Sequence, residues 1–535
     1  SPFPDVQIDR QVTFPDYIRS KLEKFASKVA IIDSTNGKQH TYAEVLNLAE
    51  KFKRSIAHLT DVHKTDVVSL CLSNCVEILP LAMAITSFGA VFNTSNPNYT
   101  VDELVYQYKL VKSKYLVTNS KNVEKIKKVK EQCPTVRQII VIDGTPEGCL
   151  NLYELDDQKR TKNEPVPEKA VPEDVAFLFS SSGTTGLPKQ IMLTHGNLVA
   201  NLSQLSPNSA KNMKMFCPTE NDTILSVFPY FHLAGLLNGL VWVLKEGGRS
   251  IILPKYEPNI FLKPNILIAP PPIHVFLTKS ALAEKADLSS IRTVVNRAAP
   301  IAPSVVEALC KRLNMEYVVN GYGMTELSTI GLIIPICDLS RNKYGSCGVP
   351  LPNTLCKVVD PETNETVGPN KRGQLMIKGL NVCKGYLYNV EATKEAINDE
   401  GWLQTGDIGY YDEDGFFYIV DRIKEMIKVK AFQVAPAEIE QCLLKNDAVA
   451  DVAVVGILDE YAGELPFAFV VKKSPLDHDV TEKEIQDFVA ERLTKYKHLT
   501  GGVRFVDAIP KNPSGKILRR LLRDQIRKEF ASKQA

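Results

Sequence analysis

The most distinctive polar stretch of the chain runs from Ser180 to Lys189 and reads SSSGTTGLPK. It follows residues 175–179 (VAFLF), an apolar and aromatic run that predicts a buried β-strand. Gly183 and Gly186 leave backbone N–H groups free to converge on phosphate oxygens, while the Ser and Thr hydroxyls add donors and the lysine adds a positive charge. The stretch therefore predicts a loop that binds a polyphosphate.

Two other interpretations apply to the same stretch. Ser/Gly/Thr runs are common in surface linkers, although a strand before the run and Lys189 at its end are unusual for a linker. The phosphate loop G-x-x-x-x-G-K-[ST] is not matched, because the glycines lie too close together and Pro188 precedes the lysine. A kinase or GTPase of that type is therefore disfavoured.

Length and composition restrict the class of protein. A chain of 535 residues exceeds what one hydrophobic core usually organises, so two or more domains are expected. A net charge of +2 argues against a nucleic-acid binder. The 11 cysteines include no CxxC pair, so the sequence suggests neither a zinc site nor a disulfide framework. A reducing compartment fits this cysteine pattern best. The longest apolar stretch, residues 78–92, is too short to span a bilayer.

The elements that must position the loop alternate along the first third of the chain. Strand-like apolar runs at residues 30–33, 67–70 and 115–118 are separated by helical patterns. Residues 41–59 predict an amphipathic helix, with Thr41 as N-cap and Glu44 completing a capping box. Alternation of this kind predicts an α/β fold whose mostly parallel sheet is covered by helices on both faces.

Three further stretches accompany the loop in a fixed order: NGYGMTE at 320–326, GWLQTGD at 401–407 with DRIKEMIKVKAFQVAPAE at 421–438, and PKNPSGKILR at 510–519. Together with the loop they resemble the signatures of the adenylate-forming superfamily, which includes acyl-CoA synthetases, 4-coumarate–CoA ligases and beetle luciferases. The resemblance spans nearly the entire chain.

The resemblance implies an architecture and a reaction. Residues 1–422 would form a large N-terminal domain of helix-covered, mostly parallel sheets with a β-barrel-like subdomain, and residues 423–535 a small, mobile α+β C-terminal domain. The implied enzyme is an ATP-dependent acyl-CoA synthetase. It would convert a fatty or aryl acid into acyl-AMP with release of pyrophosphate, and then transfer the acyl group to coenzyme A. Mg²⁺ is the implied metal.

The same resemblance assigns catalytic roles. Lys516 would bridge the carboxylate and phosphate oxygens in the first step, because positive charge is needed where two anions meet. Thr325 would touch the α-phosphate, and Glu326 would be the carboxylate that holds Mg²⁺. Lys428 would act in the second step, after the small domain has rotated about a hinge at Lys424.

A larger set of residues would hold the nucleotide or line the path of coenzyme A. The phosphate loop would bind phosphates, Tyr322 would stack on adenine between close-packed glycines, and Asp407 would accept hydrogen bonds from the ribose hydroxyls beside Arg422. Without the resemblance, the sequence NGYG would predict a turn. Asp407 by itself would be interpreted as an aspartate that caps a helix or lies in a turn. The implied set is Ser181, Ser182, Gly183, Thr184, Thr185, Gly186, Lys189, Asn320, Gly321, Tyr322, Gly323, Asp407, Arg422, Lys424 and Gln433.

Three residues are implied to line the acyl pocket: His232, Arg297 and Ala298. A lone histidine beside apolar residues is often structural, but the resemblance places His232 at the pocket mouth. Arg297 stands where the family usually has glycine, so it introduces bulk and a permanent charge. It would pair with a second carboxylate of the substrate, impair nucleotide binding, or turn to solvent.

Other functions stay open. A luciferase-like adenylating oxygenase is one alternative, although residues 231–234 (FHLA) lack the His-His-Gly-Phe run of beetle luciferases. A nucleotide- or acyl-binding protein with weak turnover is another, motivated by Arg297, by Ala431 in place of a family glycine, and by a short, proline-rich crossover at 254–265. The cytoplasm is the expected location, with the peroxisome as alternative, because the printed sequence ends in SKQA and not in an SKL-like signal. The sequence indicates no oligomeric state and no nucleic-acid partner.

Overall fold

The computed structural model describes every residue except 60–61, 156–168, 182–188, 211–212, 255–262, 280, 298–300, 302, 339, 341–342, 344, 361–362, 423–426, 431, 435, 444, 447, 473–479, 511–518, 520 and 527–535. The α-helices, in chain order, are α1 (Phe14–Leu22), α2 (Tyr42–Ala57), α3 (Ile78–Ser87), α4 (Val101–Val111), α5 (Val123–Gln132), α6 (His195–Gln204), α7 (Leu233–Leu236), α8 (Trp242–Lys245), α9 (Pro271–Lys279), α10 (Ala281–Lys285), α11 (Pro303–Leu313), α12 (Val390–Ala396), α13 (Pro436–Leu443) and α14 (Glu482–Ala490).

The strands, in chain order, are β1 (Val29–Asp33), β2 (Gln39–Thr41), β3 (Val67–Leu70), β4 (Val91–Thr94), β5 (Ser113–Thr118), β6 (Gln138–Val141), β7 (Leu150–Asn151), β8 (Val175–Ser181), β9 (Lys189–Thr194), β10 (Ser209–Ala210), β11 (Met213–Lys214), β12 (Thr223–Ser226), β13 (Arg249–Ile252), β14 (Ile266–Ala269), β15 (Thr293–Asn296), β16 (Val319–Tyr322), β17 (Leu332–Ile333), β18 (Val349–Pro350), β19 (Thr354–Val359), β20 (Gly373–Gly379), β21 (Gly385–Tyr386), β22 (Leu403–Tyr411), β23 (Phe417–Arg422), β24 (Ile427–Val429), β25 (Phe432–Val434), β26 (Val449–Asp459), β27 (Gly463–Lys472) and β28 (Gly502–Phe505).

Within the described part of the chain, one sheet has the order β18-β17-β16-β15-β14-β12-β13-β1-β2. The strands from β16 to β1 pair in parallel, and the outer strands β2, β17 and β18 are antiparallel. The chain passes from β12 to β13 on one side and then crosses to β14 on the other. Ligands of α/β proteins bind at the carboxyl ends of strands where the order reverses in this way. The sheet therefore provides a binding crevice beside β12 and β14.

A second sheet has the order β21-β9-β8-β4-β3-β5-β6-β7 and is also mostly parallel. Helices α3 and α4 connect its strands, and one hydrophobic core joins both sheets, with Phe177, Trp242 and Tyr42 fully buried. The predicted strands at 30–33, 67–70 and 115–118 correspond to β1, β3 and β5. The mostly parallel α/β fold predicted from the alternating pattern is thus confirmed.

Two antiparallel-rich sheets complete the described fold. The region predicted to be β-barrel-like holds a sheet of order β19-β20-β22-β23. After residue 426, strands β25-β24-β27-β26, with β28 beside β27, form a sheet with its own core against α13 and α14. The boundary at 422/423 stays a prediction. Among the described residues, none of the helices combines the length and the apolar character needed to cross a bilayer.

Capping boxes set where helices α2 and α4 begin. Glu44 N–H donates to Thr41 Oγ1 at 3.2 Å and Thr41 N–H to Glu44 Oε2 at 2.7 Å, which confirms the predicted start of α2. Thr100 and Glu103 repeat this arrangement at α4, where Glu103 Oε2 accepts from Thr100 N–H at 2.9 Å. The α4 box therefore holds the Glu103 carboxylate in a fixed orientation at the helix start.

A buried histidine makes the stability of the large domain pH-dependent. His195 is fully buried, and its Nδ1 accepts a hydrogen bond from Phe14 N–H at 3.0 Å. Burial lowers the pKa of His195 to about 4, from 6.5. Below pH 6.5 the imidazole of His195 binds a proton in the unfolded chain but stays neutral in the folded protein. The free energy of unfolding therefore decreases as the pH falls from 6.5 towards 4.

We expect this loss to reach about 3 kcal/mol at pH 4, since each pKa unit corresponds to ~1.4 kcal/mol. Urea unfolding of the wild type and His195→Gln between pH 4 and pH 7.5 measures it. The variant, which keeps an acceptor but cannot titrate, should lack this part of the pH dependence. Parallel pH curves for the two proteins would contradict the assignment.

Candidate active site

The carboxyl ends of neighbouring parallel strands supply most polar groups of the candidate site. Strand β12 is followed by the loop that carries His232, Arg297 comes directly after β15, and β16 ends at Tyr322. Since β12, β14, β15 and β16 are parallel, these ends lie along one edge of the sheet. The sequence-predicted pocket and nucleotide residues therefore meet at the edge where the fold itself predicts a ligand.

The second sheet reaches the same edge through the loop after β12. Asn74 Nδ2 donates to the Phe228 carbonyl at 3.1 Å, and Asn74 Oδ1 accepts from Tyr230 N–H at 2.6 Å. Thr94 Oγ1, at the end of β4, donates to the Phe231 carbonyl at 3.0 Å. These buried hydrogen bonds hold the loop before His232 between the two sheets.

Arg297 does not turn to solvent. Its side chain is buried, with 5% of the residue exposed, and Nη1 donates to the Asn296 carbonyl at 3.3 Å. A Cβ at Gly321 would lie 2.2 Å from Arg297 Nη1, so the guanidinium uses the space that a side chain at 321 would fill. Asn320 Oδ1 accepts from Asn296 Nδ2 at 2.9 Å, and its Nδ2 donates to the Ser346 carbonyl at 2.7 Å.

Tyr322 and Asp407 come together at the start of the antiparallel region. The Tyr322 hydroxyl donates to Asp407 Oδ2 at 2.6 Å, and Asp407 is buried, at 2% exposed. Strand register places Asp407 opposite Arg422 on β22 and β23, and Asp407 N–H donates to Thr405 Oγ1 at 3.1 Å. Residues predicted to contact one ribose are thus neighbours, and NGYG forms the end of a strand instead of a free turn.

Glu326 lies beside Lys189 through a residue that sequence reasoning missed. The Tyr386 hydroxyl donates to Glu326 Oε1 at 2.9 Å, and Lys189 Nζ lies 4.8 Å from the centre of the Tyr386 ring. Strand β21 pairs with β9, which brings Tyr386 next to Ile191. Burial, followed by the Glu326 carboxylate, raises the pKa of Tyr386, so the phenol stays a donor. Thr325 begins the short 3₁₀ helix that carries Glu326.

The phosphate loop closes a hairpin between β8 and β9. Ser181 and Lys189 are cross-strand neighbours, so residues 182–188 connect two paired strand ends. The strand predicted before the loop is β8, and Lys189 is the first residue of β9.

Position 323 requires glycine, because a Cβ there would lie 1.7 Å from the Thr329 carbonyl oxygen.

Several predicted site residues lie outside the described residues. They are Ser182, Gly183, Thr184, Thr185, Gly186, Ala298, Lys424 and Lys516. Ala431 and most of the crossover at 254–265 lie outside them too. Their roles stay predictions.

The residues present fit a Mg²⁺ ion held mainly by phosphate. Glu326 is buried, at 5% exposed, and offers carboxylate oxygen, the donor that Mg²⁺ prefers. The described ranges contain no group of three or more His, Cys, Asp or Glu side chains arranged to hold a metal. One carboxylate suffices where a polyphosphate supplies the remaining oxygens.

A hairpin of the C-terminal region faces His232. Strands β24 and β25 pair Lys428 with Gln433 and Val429 with Phe432. The Phe432 ring lies 6.0 Å from the His232 ring, and the exposed His232 ring lies 4.8 Å from that of Phe231. Lys428 N–H donates to Glu464 Oε2 at 2.7 Å.

A buried lysine joins the small region to the large one. Lys497 is 4% exposed, and its Nζ donates to Glu103 Oε1 at 2.8 Å and to Glu438 Oε1 at 2.7 Å. Burial lowers the pKa of Lys497, but the two carboxylates outweigh it, and the net pKa is raised. The Tyr496 ring stacks on Phe432 at 4.1 Å. Tyr496 directly precedes Lys497, so the hydrogen bond from Lys497 to Glu103 of α4 holds the residue that stacks on the hairpin next to the large domain.

Neither Tyr386 nor Lys497 could be found from local sequence. Tyr386 lies 60 residues from Glu326, and Lys497 lies 394 residues from Glu103. Both are single residues in ordinary surroundings, and their roles depend on strand pairing or domain docking. The KGYLYN run at 384–389 carries no polar cluster that would have marked it.

The fold is an α/β architecture of a large region and a small region, and several of the predicted site residues that the structure describes lie on segments at the carboxyl ends of parallel strands. The model of the AMP-binding enzyme family matches residues 18–387, and that of the AMP-binding enzyme C-terminal domain matches residues 438–516. The chain is 37% identical over 546 residues to 4-coumarate–CoA ligase 1 of Arabidopsis thaliana, covering 98% of this chain and 95% of that ligase.

Solved structures agree. A double mutant of o-succinylbenzoate CoA synthetase from Bacillus subtilis, bound to a product analogue, matches with a TM-score of 0.80 and 26% identity, covering 96% of this chain and 98% of that one. ATP-bound MatB from Rhodopseudomonas palustris matches with a TM-score of 0.67 and 26% identity, covering 96% and 99%. The chain therefore belongs to the AMP-binding enzyme family, the adenylate-forming superfamily. Its enzyme class is that of the AMP-forming acid–CoA ligases, which use ATP and coenzyme A.

Replacing Tyr322 with phenylalanine tests the contact to Asp407. The change removes one hydrogen bond to a buried carboxylate, which is worth about 1.5–3 kcal/mol. We expect KM for ATP to rise about tenfold or more, with kcat changed much less. Steady-state kinetics with varied ATP measure this. Tyr388→Phe, at a tyrosine that is 65% exposed, is the matched control and should leave KM unchanged. An unaltered KM in Tyr322→Phe would remove this tyrosine from the nucleotide site.

Proposed function

We propose that this chain activates a fatty or aryl carboxylic acid as its acyl adenylate and then forms the coenzyme A thioester at the same cleft. The observation that carries the proposal is that three groups each include a residue at or after the carboxyl end of β12 or β16. The groups are Tyr322 with Asp407, Glu326 with Tyr386 and Lys189, and His232 with the hairpin that faces it. The family and the full-length likeness to a 4-coumarate–CoA ligase support the reaction class.

In the first step the acid carboxylate attacks the α-phosphate of ATP, and pyrophosphate leaves. Asp407 holds the ribose hydroxyls, and Tyr322 orients its carboxylate. Lys189 binds phosphate oxygens, Thr325 contacts the α-phosphate, and Lys516 brings positive charge to the two meeting anions. Mg²⁺, when bound beside Glu326, neutralises the polyphosphate. Tyr386 holds Glu326 in place by its hydrogen bond.

In the second step the thiol of coenzyme A attacks the acyl carbonyl, and AMP leaves. The hairpin that carries Lys428 and Gln433 lies next to the His232 loop, which suits it to line the path of the pantetheine arm. Rotation about Lys424 would exchange this arrangement for the one in which Lys516 reaches the cleft.

Two further proposals concern organisation and location. We place the domain boundary near residue 422, since the strands after residue 426 pack around a core of their own. A cytoplasmic location is proposed because all eleven cysteines are free thiols, the state that a reducing compartment maintains.

An acid-dependent ATP–pyrophosphate exchange screen tests the proposal. Purified protein with Mg²⁺ is given fatty and aryl acids of graded size, and thioester formation is then followed with coenzyme A. We expect exchange with a subset of acids and a coenzyme A thioester of the same acids. Exchange with no acid would contradict the proposed activation step, and exchange without thioester would contradict the second step.

A further inference from the structure

Arg297 carries a positive charge that none of the described residues neutralises. The residue is 5% exposed, and its single described hydrogen bond is the 3.3 Å contact from Nη1 to the Asn296 carbonyl. Nε and Nη2 are buried and have no hydrogen-bond partner among the described residues. Burial lowers the pKa of Arg297 to about 10, which leaves the guanidinium charged at neutral pH.

An unpartnered buried guanidinium is costly. Burying a charge is strongly unfavourable unless it is paired and hydrogen-bonded. A planar guanidinium also presents its N–H groups as a fork that matches a carboxylate. A bound anion that is not part of the chain would offset the unfavourable free energy of burying this charge.

Arg297 and Lys189 have different neighbours among the described residues. It follows β15 at the carboxyl edge of the sheet, and its Nη1 lies against Gly321. Lys189, the described cation of the phosphate side, instead lies against Tyr386, which binds Glu326. Arg297 therefore lies against the end of β16, whereas Lys189 lies against the tyrosine that binds Glu326. The triphosphate of ATP explains why a positive charge is present at Lys189. It does not explain the positive charge at Arg297.

We propose that Arg297 binds a second carboxylate on the substrate, so that the acid activated here is a dicarboxylic acid or an acid with an equivalent distal anionic group. The inference rests on the proposed function, because it names the class of acid used at the same site. Binding would place the distal carboxylate on Nε and Nη2, with Asn296 holding the third nitrogen. Gly321 is required for the same reason, since any side chain there would displace the guanidinium.

Matched acid pairs test the proposal. Exchange kinetics compare straight-chain dicarboxylic acids of six to twelve carbons, and a carboxybenzoate, with the monocarboxylic acid of the same skeleton. A charge-assisted pair is worth roughly 1.5–3 kcal/mol, which corresponds to about 10- to 100-fold in kcat/KM. We expect the wild type to prefer at least one diacid by that factor, Arg297→Met to lose the preference through KM, and Arg297→Lys to keep part of it.

Arg292→Met is the matched control. Arg292 precedes the same strand, β15, and its guanidinium pairs with Asp222 at the opposite edge of the sheet. This variant should retain the diacid preference. Equal kcat/KM for both acids of every pair in the wild type would overturn the proposal. So would an Arg297→Met loss that is the same for mono- and diacids, which would assign the guanidinium to the phosphate or to the reactive carboxylate.

A binding measurement separates this inference from the proposed function. Calorimetry compares two non-reactive adenylate analogues, acyl-sulfamoyl adenosines that carry either a monoacid or the matching diacid. The diacid analogue should bind the wild type about 10- to 100-fold more tightly and Arg297→Met no more tightly. If no acid supports exchange but the analogues still differ in this way, the activation step fails and the Arg297 assignment stands. Equal affinities overturn the assignment even where exchange occurs.

Discussion

Replacing Lys428 with alanine is expected to lower thioester formation at least ~100-fold while leaving acid-dependent ATP–pyrophosphate exchange close to wild type. Removing one positioned donor from a transition state typically costs this much. Lys428 lies on β24, whose partner strand brings Phe432 to the His232 ring. We therefore expect its ammonium to act in the second step, when the acyl carbonyl is attacked. Single-turnover mixing of isolated acyl adenylate with coenzyme A measures this step directly.

Lys516→Ala is expected to have the opposite effect on the two half-reactions. It should lose adenylate formation to a similar extent and still convert supplied acyl adenylate to thioester. Lys445→Ala, at an exposed lysine after α13, is the matched control and should change neither step. Equal loss of both half-reactions in either Lys428→Ala or Lys516→Ala would contradict the use of two arrangements of the small domain.

The second large effect is expected at Lys497. Replacing it with methionine leaves the Glu103 and Glu438 carboxylates together without the cation that now lies 2.8 Å and 2.7 Å from them. Removing one partner of a buried ion pair typically costs about 3–5 kcal/mol. We expect thioester formation to fall ~10- to 100-fold, because the hairpin loses its support against the large domain. Adenylate formation, which uses the other arrangement, should be reduced far less.

The pH dependence of this variant provides an independent readout. Burial raises the pKa of Glu438 already in the wild type, and losing the lysine raises it further. Protonation of one carboxylate removes the repulsion between them. The deficit of Lys497→Met relative to wild type should therefore shrink as the pH falls from 8 to 6. Thioester rates across this range measure it.

Two variants control for a general loss of folding. Lys495→Met changes an exposed lysine of the same turn and should behave as wild type. Adding Glu438→Gln to Lys497→Met removes one of the two unpaired charges and should restore part of the rate. A deficit that is independent of pH and not relieved by the second substitution would mean that Lys497 does not act through these carboxylates.

Local patterns predicted local structure well. The capping box at Thr41 and Glu44 was visible as a spacing of three residues, and α2 begins there. Residues 67–70 and 115–118 formed strands as their apolar character indicated. Such elements depend on near neighbours in the chain, whose spacing is printed in the sequence. The parallel order of the sheets followed from alternation of helices and strands.

The environment of Arg297 could not be predicted from local sequence. The residue type was compatible with pairing to a substrate carboxylate, with impaired nucleotide binding and with exposure to solvent, and burial against Gly321 excluded the last of these. An arginine side chain is long enough to reach solvent or a pocket, so its environment depends on which strand lies beside β15. That neighbour, β16, is set by sheet order and not by any adjacent residue.

The sequence predicted a polyphosphate loop and the alternation that produces parallel sheets, and its four separate motifs indicated the family. Only the folded chain showed that Tyr386 joins Glu326 to Lys189, that Lys497 connects two carboxylates from distant parts of the chain, and that none of the described residues supplies a counter-charge to the buried Arg297. The physical reason is range. Backbone preference and periodicity act over a few residues, whereas a buried charge is governed by whichever groups folding brings within about 4 Å of it.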